Sequence, residues 1–209
     1  MSSEATFGPE TLCVRSSRGH GDGFALVQPL VQSTTFVRDG LESRAVHRYS
    51  RESNPTVAAL EATLGELEGA PPAVAYATGL AAETGLFQTL LSAGDHVVCS
   101  RALYGGTTRL LQKVLSRFQV HSTFVDTRDL ELLRAAIQPE TKLVFLETPA
   151  TPTLDLTDVR AAAGIARTSG VLSAVDNTFL TAVLQRPLDL GADFSVYSTT
   201  KFVDGHSVA

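Results

Sequence analysis

From Pro55 onward the apolar positions fall into a repeating order. Val57, Leu60, Leu64 and Leu67 recur at helical spacing in a segment that opens on a proline suited to a first turn and closes at Gly69. Asn54 is placed as its N-cap. Short apolar runs and helical segments then alternate: strand Ala73–Thr78, helix Leu80–Leu91, strand His96–Cys99, helix about Thr107–Arg117, strand Val120–Val125 and helix Leu130–Ile137. Strand Lys142–Glu147, helix about Leu156–Ser169, strand Val171–Asp176 and strand Phe194–Tyr197 complete the order. Strands alternating with helices predict an α/β fold, a mainly parallel sheet with helices on both faces. Up to Asn54 the periodicity is weak: a glycine-rich run at 19–23 around His20, a short apolar patch at 24–31, then charged residues as far as Tyr49 and Arg51. That stretch reads as an extended arm. The expected division is an arm over residues 1–54 and one large α/β domain over residues 55–209.

Composition narrows the function classes. A chain of 209 residues with 44% apolar residues can supply a large core. A formal charge of −5 with no basic stripe argues against a nucleic-acid partner. Cys13 and Cys99 have no close-spaced partner and no metal-type pattern, which reads as free thiols in a reduced, cytoplasmic setting. The start, Met1 to Thr6, lacks the basic region and apolar core of a signal peptide, and no run of 18 apolar residues occurs. Neither secretion nor membrane insertion is expected. His20, His47, His96, His121 and His206 form no i,i+4 pair and have no cysteine or carboxylate at ligand spacing, so no metal site is expected. Serine-hydrolase, P-loop and dinucleotide motifs are absent.

In parallel α/β sheets ligands bind beyond the carboxyl ends of the strands. Thr78-Gly79, Glu147-Thr148-Pro149, Asp176-Asn177 and Ser198 to Lys201 each follow or end a predicted strand. Lys201 lies in Tyr197-Ser198-Thr199-Thr200-Lys201, and Asp176 closes the apolar run Val171 to Val175, where a carboxylate is costly without a partner. A lysine and a carboxylate so placed suggest pyridoxal 5'-phosphate: the amine forms an imine with the cofactor aldehyde, and the carboxylate keeps the ring nitrogen protonated. The alternatives are a solvated lysine at a strand end and an aspartate that caps a turn. Thr78-Gly79-Leu80 joins a strand to a helix, so the first helical amides can face a phosphate, with Ser198 and Thr200 offering hydroxyls near the same group. Tyr104, followed by Gly105 and Gly106, has a ring that could lie flat over a heterocycle, or could simply pack. Tyr49 and Arg51 flank Ser50 on the arm; a guanidinium suits a phosphate, although exposed arm charges are commonly just solvated.

Taken together these runs resemble the cystathionine γ-synthase and γ-lyase family, pyridoxal phosphate enzymes of cysteine and methionine metabolism with fold type I. The resemblance covers nearly the whole chain. It rests on Tyr49-Ser50-Arg51-Glu52-Ser53-Asn54-Pro55-Thr56, Leu60-Glu61 with Leu67-Glu68-Gly69, and Thr78-Gly79-Leu80-Ala81-Ala82. Further matches are Tyr104-Gly105-Gly106, Glu147-Thr148-Pro149, Val175-Asp176-Asn177-Thr178-Phe179, and Ser198-Thr199-Thr200-Lys201 through Gly205-His206.

The resemblance implies that Lys201 is the Schiff-base lysine and base, Asp176 the partner of the ring nitrogen, and Tyr104 the stacked ring. Gly79 and Leu80 amides, with Thr78, Ser198 and Thr200, would hold the phosphate. Tyr49 and Arg51 would reach the phosphate of a neighbouring subunit, implying a homo-oligomer, a tetramer built as a dimer of dimers. The implied activity is γ-replacement or γ-elimination on a small amino-acid substrate of the cystathionine or O-acyl homoserine class; these residues leave synthase and lyase both open. Two positions depart from the family pattern: Thr151 stands where asparagine is usual in Glu-Thr-Pro-x-Asn-Pro, and Leu80 where methionine is common. Relatives run to nearly twice this length, so the expected object is an N-terminal half, a truncated large domain without the C-terminal domain and its substrate-binding arginine. The alternative from another class is a non-catalytic cofactor-binding or oligomerisation fragment. Another fold type I enzyme, such as an aminotransferase, fits the arm motif less well.

Overall fold

A computed structural model describes residues 7–15 and 25–205, divided into two compact units, Met1–Ala75 and Tyr76–Ala209. The glycine-rich run with His20, the start of the chain and His206 lie outside the described residues. No described helix is long and apolar enough to cross a membrane.

In the first unit the arm is more structured than its weak periodicity predicts. It contains helix α1 (Pro9–Arg15), and its later part folds back on itself. The Phe36 amide donates to the Arg48 carbonyl (3.1 Å), the Ser50 amide to the Thr34 carbonyl (2.9 Å), and Thr35 and Tyr49 form an antiparallel bridge. Helix α2 (Pro55–Glu68) forms where the spacing predicts it. Asn54 accepts the Thr56 amide at 2.8 Å, Pro55 needs no donor in the first turn, and Gly69 ends the helix at φ 67°, a left-handed conformation that favours glycine.

The expected strand Ala73–Thr78 does not form. Residues 72–76 form no strand, because the ladder donors are taken by helix α2: the amides of Ala73 and Ala75 both donate to Glu61, to its carbonyl at 2.9 Å and its carboxylate at 2.8 Å. A strand with one row of donors already satisfied has nothing to offer a neighbour along that edge.

The second unit is a five-stranded sheet of β1 (His96–Ser100), β2 (His121–Val125), β3 (Thr141–Glu147), β4 (Leu172–Asp176) and β5 (Phe194–Val196), ordered β2-β1-β3-β4-β5 with every pair parallel. Period two splits the strands between two cores. Val97, Cys99, Leu143, Phe145 and Ala174 face α3 (Gly79–Leu90) and the helical segment that begins with α4 (Gly105–Arg109). Val98, Val144, Leu146 and Val175 face α5 (Leu130–Ala136) and α6 (Val159–Thr168), where Leu133, Ala162, Ile165 and Ala166 close the opposite face. The expectation of a parallel sheet covered on both sides therefore holds.

Three helical boundaries differ from expectation. The helix expected over Thr107–Arg117 starts at Gly105 and changes pitch, passing from α4 into a π-helical turn (Leu110–Val114) and a 3-10 turn (Leu115–Phe118). Across those changes Leu110, Leu111 and Leu115 stay buried while Val114 turns outward. Helix α6 begins at Val159 rather than near Leu156, since the Asp158 carboxylate accepts the Ala161 amide at 3.0 Å and caps it there. A single turn, α7 (Thr181–Leu184), follows β4 and is too short for any periodicity to reveal.

Candidate active site

The register of β3, β4 and β5 brings Glu147, Asp176 and Val196 side by side at the carboxyl edge. Because Phe145 and Ala174 face α3 and α4, period two turns Glu147 and Asp176 to that same side. Asp176 is 8% exposed, and its Oδ1 accepts both the amide (3.0 Å) and the hydroxyl (2.5 Å) of Thr178. Burial holds its carboxyl above the ordinary range; the two Thr178 bonds and the positive charge of Lys201 pull the other way. Thr178 continues the chain of contacts, because its hydroxyl oxygen also accepts the Ser198 amide at 2.8 Å.

The turn that carries Lys201 is tied to the exit of β4 at three further points. The Asn177 amide donates to the Val196 carbonyl (2.9 Å), and the Asn177 side chain donates to the Tyr197 hydroxyl (3.0 Å). The Phe179 and Phe202 rings meet edge to face at 5.9 Å. Lys201 and Thr200 themselves are exposed.

On the other side of Ser198 stands the first turn of α3. Thr78 caps it, its hydroxyl accepting the Ala81 amide at 3.0 Å and its carbonyl the Ala82 amide at 3.0 Å. The amides of Gly79 and Leu80 are thereby left without an acceptor among the described residues, and helix N-termini present such amides to anions. A Cβ at Gly79 would lie 2.8 Å from Ser198 Cβ and 3.1 Å from its Cα, so glycine is what allows helix and lysine turn to touch. A buried carboxylate within reach of a lysine, and free helical amides pressed against a serine, are the donors and acceptors that a cationic ring and its phosphate require. The residues present fit pyridoxal phosphate.

Tyr104 immediately precedes α4, with its amide donating to Glu147 Oε2 at 2.6 Å and its ring 54% exposed. The ring lies against Gly106, where a Cβ would fall 2.3 Å from Tyr104 Cε1. Glu147 is 4% exposed and its other oxygen accepts the Thr151 amide at 3.1 Å. Burial raises its carboxyl, the Thr151 amide opposes that, and the negative charge of Asp176 adds to it. Thr151, the position that departs from the usual asparagine, is an exposed residue that reaches Glu147 through its backbone amide and also its side chain. Tyr49 and Arg51 belong to the first unit; there the guanidinium carbon sits 4.4 Å from the centroid of the Tyr49 ring.

Sequence reasoning singled out the runs holding Glu147 and Thr178 but not their partners, and it missed Glu83. Thr178 joins Asp176 to Ser198, Glu147 pins Tyr104, and Glu83 on α3 accepts the hydroxyl of Thr107 at 2.7 Å. Glu83 left one trace: it is four positions before Phe87, on the face of α3 that turns inward, where a carboxylate is out of place. Among the described residues no cluster of histidine, cysteine, aspartate and glutamate could hold a metal ion.

Comparison with known proteins gives a family match, close relatives in sequence and a shared fold. Residues 10–209 match the family described as Cys/Met metabolism PLP-dependent enzyme. The chain is 44% identical over 183 residues to the cystathionine beta-lyase MetC of Bacillus subtilis, covering 88% of this chain and 47% of that one. It is equally 44% identical over 183 residues to the cystathionine gamma-lyase of the same organism, covering 88% and 48%. Its fold superposes on the crystal structure of metB from Corynebacterium glutamicum with a TM-score of 0.94 at 40% identity, over 98% of this chain and 54% of that one. The chain spans about half the length of the curated relatives it matches.

Proposed function

This chain belongs to the Cys/Met metabolism PLP-dependent enzyme family, and on that premise we propose that it carries the cofactor-holding part of a transsulfuration enzyme. The proposed reaction is γ-replacement or γ-elimination on a sulfur amino acid or homoserine ester, of the cystathionine or O-acyl homoserine class. One observation carries the reading: the unbroken join from Asp176 through Thr178 to Ser198 and on to Gly79, which sets a buried anion and a row of anion-receiving amides along one wall.

When bound, pyridoxal phosphate supplies an electron-withdrawing ring that stabilises negative charge at the substrate's α carbon. Asp176 keeps the proton on the ring nitrogen, its carboxylate held in place by Thr178. Gly79 and Leu80 amides, at the positive end of α3, receive the phosphate together with the hydroxyls of Ser198 and Thr200. Thr78 keeps that end in order by capping it. Lys201 would hold the cofactor through its amine and, with that amine free, would serve as the base for the α proton. Tyr104 would lie against the ring and would assist the proton shift that lets a γ substituent leave. Tyr49 and Arg51 would reach the phosphate held by a neighbouring subunit of a homotetramer.

The test begins with visible absorption. Wild-type protein mixed with pyridoxal phosphate should develop the band of a lysine-bound cofactor, and Lys201→Ala should not. Product analysis then separates the reactions: cystathionine cleaved at the γ carbon gives cysteine, ammonia and 2-oxobutanoate, cleavage at the β carbon gives homocysteine, ammonia and pyruvate, and a synthase joins cysteine to an O-acyl homoserine. A band that survives Lys201→Ala, or no band in folded protein, would overturn the assignment.

A further inference from the structure

The mechanism above makes no use of Glu83, yet this carboxyl joins two helices behind the site. It lies one turn into α3, 3% exposed, and its Oε2 accepts the hydroxyl of Thr107, itself fully buried in the first turn of α4. The two helical starts it joins carry different parts of the cradle. Gly79 and Leu80 lie on α3 ahead of Glu83, and Tyr104 lies ahead of Thr107. The Tyr104 segment is therefore held at two points by two carboxyls, at its own amide by Glu147 and three residues on by Glu83.

We propose that Glu83 is a positioning residue of the cofactor cradle: by accepting the Thr107 hydroxyl, its buried carboxyl sets the spacing between the amide-bearing first turn of α3 and the turn that presents Tyr104. This inference rests on the cofactor reading given above. Replacing Glu83 by an apolar residue leaves Thr107 with an unsatisfied buried hydroxyl and removes the brace.

The brace is sensitive to pH. Burial is the largest influence on Glu83 and pushes it up to about 7 from 4.5; the Thr107 bond opposes this, and the charges of Asp176 and Glu147 add to it. The groups that face it are the Asp176 carboxyl from β4, Glu147 from β3, the Thr107 hydroxyl from α4, and the Cys99 thiol from β1, which Glu83 in turn pushes up behind the larger effect of burial. No cationic side chain contributes. Neutral Glu83 is thus tolerated, whereas ionised Glu83 is a third buried negative charge beside two others. Since the folded value lies above the unfolded one, the stability due to this group is fully present below about 4.5 and is lost as the pH rises through about 7. Ionisation sets Glu83 against the charges of Asp176 and Glu147, and that repulsion strains the spacing it sets, so affinity for the cofactor falls as the pH rises.

Three proteins test this: wild type, Glu83→Gln, which keeps an acceptor without a titration, and Glu83→Leu, which removes the brace. The first readout is the thermal midpoint of cofactor-free protein from pH 5 to 8. The second is the dissociation constant for pyridoxal phosphate, read by absorbance over the same range. The expected result is a midpoint that declines with pH in wild type and a decline that is absent in Glu83→Gln. Between pH 6 and 8 the wild type should lose affinity relative to Glu83→Gln by on the order of tenfold, and Glu83→Leu should bind weakly throughout. A wild-type slope retained in Glu83→Gln, or Glu83→Leu binding as tightly as wild type at pH 6, would overturn the proposal and leave the cofactor reading intact. Cofactor binding by none of the three, with the stability slope present, would overturn the cofactor reading and the positioning role together.

Discussion

Gly79→Ala tests the closest approach in the site. The new Cβ would lie 2.8 Å from Ser198 Cβ, 3.2 Å from its Oγ and 3.1 Å from its Cα. The backbone at Gly79 is not left-handed, so alanine meets no conformational penalty, and its helix propensity favours the change by about 0.5–1 kcal/mol. Against this stands overpacking, which costs about 1–3 kcal/mol when the neighbour cannot retreat. Ser198 has little room to retreat, because its amide is bonded to Thr178 and Thr178 to Asp176. The steric term wins, leaving a net loss of about 1–2 kcal/mol. For a urea dependence of about 2 kcal/mol per molar, the unfolding midpoint should fall by roughly 0.5–1 M. A second substitution, Ser198→Gly, removes two of the three close contacts and leaves the one at Cα. The double variant should therefore recover part of the loss, and a double-mutant cycle should report coupling between the two positions. Cofactor affinity should fall in Gly79→Ala, since the displaced Ser198 belongs to the proposed phosphate wall. A Gly79→Ala protein as stable as wild type, or strictly additive effects of the two substitutions, would show that helix and turn do not meet as described.

Two further expectations follow from the hydrogen bonds. Thr178→Val keeps the shape but removes the hydroxyl that donates to Asp176 and accepts from Ser198. It should cost about 1–3 kcal/mol in denaturant unfolding and weaken pyridoxal phosphate binding, with Thr178→Ser restoring both; unchanged binding in the valine variant would remove Thr178 from the site. His96, at the opposite end of the sheet, is bonded through Nδ1 to Thr141 (2.8 Å) and through Nε2 to Thr123 (2.9 Å). Burial lowers its pKa from 6.5, with His121 acting in the same direction and Glu140 against it. The unfolded chain therefore takes up this proton first, so the stability due to His96 is present above about pH 6.5 and lost as the pH falls below it. This slope is opposite to that of Glu83. Thermal midpoints of His96→Asn below pH 6.5 should show a shallower acid-side decline than wild type, and an unchanged decline would refute the assignment.

The sequence alone determined the layers of this protein and the carboxyl ends of β2, β3 and β4. Alternating strand and helix periods required a parallel sheet covered on both faces, and local signals that act within a few residues, such as Asn54 before Pro55 and Gly69 after Glu68, marked the ends of α2 correctly. The runs carrying Gly79, Tyr104, Asp176 and Lys201 stood out for a related reason: each is a short run of residue types suited to the proposed chemistry, although each taken alone also allowed a structural role. What the sequence could not decide was competition between distant groups. Ala73 to Thr78 has the composition of a strand, yet Glu61 claims its amides from another segment. Nor does any local pattern reveal that Thr178 links Asp176 to Ser198, or that Glu83 finds Thr107 across two helices. Those partners are 20 and 24 residues apart in the chain and meet only because the sheet register and the packing of α3 on α4 bring them together. Residue types determined what chemistry was available; the tertiary structure decided which groups share a hydrogen bond, and burial then raised the pKa of the carboxyls among them.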